Sequence, residues 1–209
     1  SSDVCSSDLG IRSWDAVPID NRVMDIIFNI CKDMQEPISY LPLGMCFGLM
    51  ALCVCSAWEW YAGREQRSAK EERASKAESS RKRVRKTAVF LIGIYTTVIF
   101  QTAFFSREPG SRSGMDLGLF DTWGESAVSR AYVIENILMF IPLGILLPML
   151  HGRFRNGWYC VSAGLAISGL IEGMQLVTAR GFFQIDDIAT NVAGTIVGWG
   201  TVRILAEIH

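Results

Sequence analysis

A small set of polar side chains sits where an otherwise apolar sequence has little reason to carry them: Arg107, Glu135, Asn136, Glu172, Gln175, Arg180, Asp186, Asp187 and Asn191. Glu172 and Gln175 are three residues apart, and Asp187 and Asn191 four, so on helices each pair shares a face. Carboxylates among amides and arginines could do one of three things. They could clamp helices together, hold a phosphate or polar headgroup through the arginines, or serve as acid–base or cation-binding groups. The third has the least behind it. The only histidines, His151 and His209, lie apart from the set, and no nucleophile–base pair is recognisable. The adjacent Asp186 and Asp187 would project from different faces of a helix. No cofactor and no metal are expected, and catalysis ranks behind binding and helix clamping.

The elements that carry these residues follow from hydropathy. Half of the 209 residues are apolar, and the charge is confined to a few blocks, which is the composition of a membrane protein. A bilayer core about 30 Å thick needs roughly 20 mostly apolar residues per crossing. Five segments meet this: residues 39–58, 88–105, 131–150, 158–177 and 185–206. The third and fifth are weakened by the polar residues above. The expected fold is therefore an all-α, polytopic helical membrane bundle of about five transmembrane helices.

Ahead of these spans, residues 10–38 read as an amphipathic or interfacial segment. Val23, Ile26, Ile27, Ile30 and Met34 recur at helical spacing there, as on a helix at the membrane surface or packed on the bundle. Residues 1–9 (SSDVCSSDL) read like a translated sequencing-adapter oligonucleotide, so the natural N-terminus is expected to be missing. The cysteines form no C-x-x-C pair, and Cys46, Cys53, Cys55 and Cys160 fall within apolar runs, as small hydrophobes do.

Residues 59–87 read as a basic cytoplasmic loop. Residues 59–86 hold ten Lys/Arg against five Glu, a pattern better explained by the positive-inside rule than by nucleic-acid binding. Placing this loop inside orients the rest. Inside segments then hold thirteen Lys/Arg and outside loops four, so the assignment agrees with itself. The polar residues of spans three, four and five, with Arg107 and Arg180, then share one depth at the outer face. Ionisable groups in a spanning helix cost roughly 2.5–3.5 kcal/mol each, so they are expected to face one another or a wet cavity. Gly44-x-x-x-Gly48, Gly169-x-x-x-Gly173 and Gly194-x-x-x-Gly198 offer faces for close helix approach. Pro142 and Pro148 should kink span three and free carbonyls for neighbours.

Three ordered motifs carry a resemblance: residues 136–144 (NILMFIPLG), Ser168-x-x-x-Glu172-x-x-Gln175, and residues 180–194 (RGFFQIDDIATNVAG). Together with residues 105–112 (FSREPGSR), they resemble the VanZ-like family over residues 88–206. That family is named for an accessory protein of glycopeptide antibiotic resistance, associated with low-level teicoplanin resistance. The resemblance implies a four-helix VanZ-like domain in the bacterial plasma membrane. Arg107, Asn136, Glu172, Gln175, Arg180, Asp186, Asp187 and Asn191 fall on its motif positions, and no catalytic residue carries over. The expected partners are membrane lipids, with a lipophilic glycopeptide or lipid-linked envelope precursor at the outer cluster. The alternative is a membrane enzyme acting on such a lipid.

Overall fold

The computed structural model describes residues 21–66, 76–105, 108, 110, 114–118 and 126–208. Residues 1–9 and Arg107 lie outside the described residues. In chain order the elements are α1 (Asn21–Asp33), α2 (Gln35–Ser39), α3 (Leu41–Gln66) and α4 (Lys76–Phe100). A π-helical turn (Gln101–Phe105) ends α4. After it come β1 (Met115–Asp116), α5 (Ala127–Leu150), a 3-10 turn (Gly152–Arg155), α6 (Gly157–Val177), β2 (Phe183–Gln184) and α7 (Ile185–Ile208). The two short strands pair in parallel, Met115 with Phe183 and Asp116 with Gln184. Everything else that bears load is helical, as the composition requires.

Among the described residues, four helices are long and apolar enough to cross a membrane: Leu41–Ala62, Glu78–Phe105, Ala127–Leu150 and Gly157–Val177. The fifth expected span is the exception. At 24 residues α7 matches α5 in length but is not among the four. Its inner face explains how it is accommodated: Asp186, Thr190, Asn191 and Thr195 are buried, against α5 and α6.

The stretch expected as a loop over 59–87 is largely helix. Its first part extends α3 to Gln66 and its second opens α4 at Lys76; residues 67–75 lie outside the described residues. Lys, Arg, Glu and Ala are strong helix formers, so nothing in this segment resists continuation of the spans. Glu59 reaches across to Arg85 (3.8 Å) and Lys86 (3.3 Å), and Glu78 to Lys82 (3.0 Å). Such exposed pairs contribute about 0–1 kcal/mol each; the two from Glu59 link α3 to α4, while Glu78–Lys82 lies within α4.

Helix ends follow local rules. Ser126 caps α5 by accepting from Ser129 N at 3.0 Å, and Asn156 caps α6 by accepting from Trp158 N at 3.0 Å. Pro142 and Pro148 both lie inside α5. Proline cannot donate to the carbonyl four residues back, which for Pro148 is that of Gly144. The Cys160 thiol stands 4.0 Å from that oxygen, a weak donor taking the missing one's place.

Close helix approach is real at two of the three glycine pairs. A methyl group at Gly48 would stand 2.7 Å from the Phe90 carbonyl oxygen, and one at Gly93 2.7 Å from the Gly48 Cα, so α3 and α4 touch backbone to backbone. Between α5 and α7, a methyl at Gly194 would collide with the Ile137 carbonyl, and one at Gly198 with that of Ile141. Gly169 and Gly173 are different. Among the described residues a methyl at either would meet nothing within 4 Å, so the expected helix contact beside Glu172 is absent there.

The core is small, formed by Phe140, Leu143, Leu147 and Cys160 with Tyr95, Phe154, Ile167 and Trp199 around it. Large apolar side chains point outward instead, Val177 at 86% exposure and Trp158 at 82%. Against water this would be an aggregation hazard; against lipid it is the stable arrangement. Trp58, Trp60 and Tyr61 at the end of α3 and Trp158 and Tyr159 at the start of α6 are all exposed. They lie at the same end of the bundle as the basic start of α4, as a belt of interfacial aromatics would. The amphipathic segment forms α1, which packs on α5, with Ile26, Ile30 and Met34 half-buried and Val23 and Ile27 exposed.

Candidate functional site

The polar residues gather at the end of the bundle opposite the basic start of α4. They come from the first half of α5, the end of α6, the turn after it and the first half of α7, and two of them reach backbone carbonyls of the π-helical turn. On α6, Ser168, Glu172 and Gln175 recur at i, i+4 and i+7 and are all buried, Glu172 at 3% exposure. On α7, Asp187 and Asn191 fall on the face that meets α5 and α6.

Each side chain has a distinct task. Asn136 donates its Nδ2 to Asp187 Oδ1 at 2.8 Å, joining α5 to α7. Asn191, at 2% exposure, donates to Ser168 Oγ at 2.9 Å, joining α7 to α6, while its buried Oδ1 has no hydrogen-bond partner among the described residues. Glu172 Oε2 accepts from Gln184 N at 3.1 Å, so a carboxylate orders the strand that leads into α7. Gln175 donates to the Ala103 carbonyl at 3.3 Å, and Arg180 donates to the Phe104 carbonyl. The last carbonyls of a helix lack intrahelical donors and carry the negative end of its dipole, so an amide and a cation there are both favourable. The Arg180 guanidinium also covers the Phe105 ring, 5.6 Å from its centroid.

The turn after α6 aims Arg180. Thr178 ends the helix, Ala179 takes a left-handed φ of 52°, and two bonds close the cap: Arg180 N to Gln175 O at 2.9 Å and Ala179 N to Leu176 O at 3.1 Å. This is a Schellman cap, whose left-handed position normally holds glycine. An L side chain there costs roughly 1–2 kcal/mol. Ala179→Gly should therefore raise stability by about 1 kcal/mol, read as a higher thermal midpoint in detergent; an unchanged or lower midpoint would show that the turn carries no such strain.

Two expected site residues stand apart from this arrangement. Arg180 was expected to clamp the carboxylates, but among the described residues it makes no ion pair with Glu172 or Asp187; it serves the end of α4. Glu135 turns away from Asn136, as neighbours on a helix must, with Asp33 of α1 within electrostatic range. Its Oε1 is buried and has no hydrogen-bond partner. Of the expected residues, the structure brings Asn136, Glu172, Gln175, Asp187 and Asn191 to one end of the bundle, with Arg180 at the edge, and Asp186 is 3% exposed. Ser168, Thr190 and Thr195 were missing from it. Thr190 donates to the Asp186 carbonyl at 2.9 Å and Thr195 to that of Asn191 at 3.1 Å. Extending the i, i+4, i+7 spacing along each helix would have found Ser168 and Thr195. No three His, Cys, Asp or Glu side chains among the described residues come together as a metal-binding group.

A family model described as VanZ/LLP1 matches residues 87–206, more than half of the chain. The chain belongs to the VanZ/LLP1 family. The matched region holds the second half of α4, all of α5 and α6, and α7 but for its last two residues, and so every residue of the polar cluster. No curated protein and no solved structure matches the chain. With four apolar helices of spanning length, this VanZ/LLP1 chain is a multi-pass membrane protein.

Proposed function

We propose that this VanZ/LLP1 chain is a bacterial plasma-membrane protein whose polar cluster opens to the outside of the cell and binds the polar head of an envelope lipid or a lipophilic glycopeptide. The observation that carries the reading is Asn191. Buried polar atoms normally find a partner, and leaving one unmade costs about 1–3 kcal/mol. Among the described residues the Asn191 Oδ1 lacks one, within a cluster where Asn136, Glu172 and Gln175 are bonded. The cluster thus has an acceptor to spare for a hydroxyl or amide from outside the chain. The Lys/Arg asymmetry supports the orientation, since it puts the basic end inside.

The test is lipid analysis of purified protein. Asp187→Asn keeps the shape of the Asn136 partner and should leave the thermal midpoint within a few degrees, while lowering the amount of a co-purifying polar lipid several-fold. Unchanged lipid content in a folded variant would leave the cluster a helix clamp and nothing more. In intact cells, cysteine at position 112 should react with an impermeant thiol reagent, and cysteines at 75 and 155 should be shielded. The reverse pattern would place the cluster inside and end the proposal.

A further inference from the structure

At the basic end of the bundle, away from the polar cluster, the start of α4, the end of α5, the turn after it and the end of α7 enclose a cavity of about 600 Å³. That volume is within the usual range for a bound small molecule. Its walls are of two kinds. Four arginines contribute from three elements: Arg81 and Arg85 of α4, Arg155 of the turn and Arg203 of α7. Leu150, Val202 and Trp199 supply an apolar part of the same lining.

Gathering four cations in one cavity is unfavourable unless anions answer them. Two are answered in part. Arg85 lies 3.8 Å from Glu59, a carboxylate it shares with Lys86, and Arg203 lies 3.4 Å from Glu207 on the next turn. Neither Arg81 nor Arg155 has a carboxylate partner among the described residues. Among the described residues the cavity therefore keeps a positive excess. Arg155 is also held in place, because Trp199 Nε1 donates to its carbonyl at 3.2 Å and ties the turn to α7. The exposed Trp158 and Tyr159 open α6 at the same end, the level at which lipid headgroups lie.

We propose that this cavity binds an anionic phospholipid, with its phosphate between the arginines and the start of an acyl chain along Leu150 and Val202. The mixed lining selects the ligand. Guanidinium groups suit phosphate because each can donate two parallel hydrogen bonds, and basic pockets between membrane helices fit anionic headgroups. An apolar floor beneath them is of no use to free phosphate and suits an amphiphile. This site is independent of the polar cluster at the other end.

The probe is phosphatidylglycerol, titrated into detergent-purified protein and followed by native mass spectrometry, with phosphatidylcholine of the same chains as reference. The wild type should bind phosphatidylglycerol in clear preference. Arg81→Gln, at an exposed position on α4, should cut that preference about fivefold, and the double variant Arg81→Gln/Arg155→Gln about thirtyfold. Lys32→Gln, on α1, should leave it unchanged, and millimolar inorganic phosphate should not displace the lipid. Equal binding of the two lipids, retained preference in the folded Arg81 variant, or displacement by phosphate would each overturn the proposal.

Discussion

Replacing Gly198 with leucine should cost the protein its fold, while the same change at Gly173 should leave stability nearly untouched. The two glycines look alike in the sequence, each the second member of a G-x-x-x-G pair in an apolar helix. They differ in what lies opposite. Even a methyl group at Gly198 would overlap the Ile141 carbonyl and crowd Gly144, both backbone atoms that cannot swing aside. Overpacking a tight contact costs about 1–3 kcal/mol where side chains can adjust, and more where only a helix shift gives relief. The contact joins α5 to α7, so a shift there would also pull Asn136 from Asp187 and Asn191 from Ser168. A side chain at Gly173 meets open space. The measurements are expression level and thermal midpoint in detergent. A stable Gly198→Leu protein, or a collapsed Gly173→Leu one, would contradict this account of which glycines let helices touch.

The second large effect belongs to the Asn136–Asp187 bond. Asn136→Leu should lower stability by about 1–3 kcal/mol, because it removes a 2.8 Å donor from a half-buried carboxylate. The pair should be energetically coupled. In a double-mutant cycle of Asn136→Leu and Asp187→Leu, the double variant should be less destabilised than the sum of the singles, by about 0.5–3 kcal/mol. A cycle on Glu172 and Arg180 is the contrast. Glu172 accepts from Gln184 N, and Arg180 donates to the Phe104 carbonyl, so the two act on different elements. Their single effects should add within about 0.3–0.5 kcal/mol. Coupling in the second cycle and additivity in the first would reverse the assignment of partners.

Hydropathy, charge blocks and spacing were enough to determine that this protein is a helical membrane bundle, where its long helices run, and that its polar residues cluster at one end. Those features are local or one-dimensional. Insertion depends on apolar residues summed along a segment, and antiparallel alternation carries the ends of successive helices to one side or the other. The membership of the cluster was also within reach, because Glu172, Gln175, Asp187 and Asn191 keep helical spacing along their own elements. What the sequence could not decide was the rotation of each helix about its axis and the partner it meets. Gly169 and Gly173 share the spacing of Gly194 and Gly198, yet α6 turns them outward and presents Ser168, Glu172 and Gln175 inward, so only the second pair touches a backbone. Arg180 has the charge to clamp a carboxylate, but the left-handed Ala179 and the π-helical end of α4 put a carbonyl in its reach instead. The basic residues from Lys76 onward were expected as loop by composition; in the fold they open α4, where Arg85 and Lys86 meet Glu59 of α3. These outcomes depend on which surfaces interdigitate when all the helices pack together. A pairwise choice of that kind is set by tertiary packing and has no one-dimensional signature.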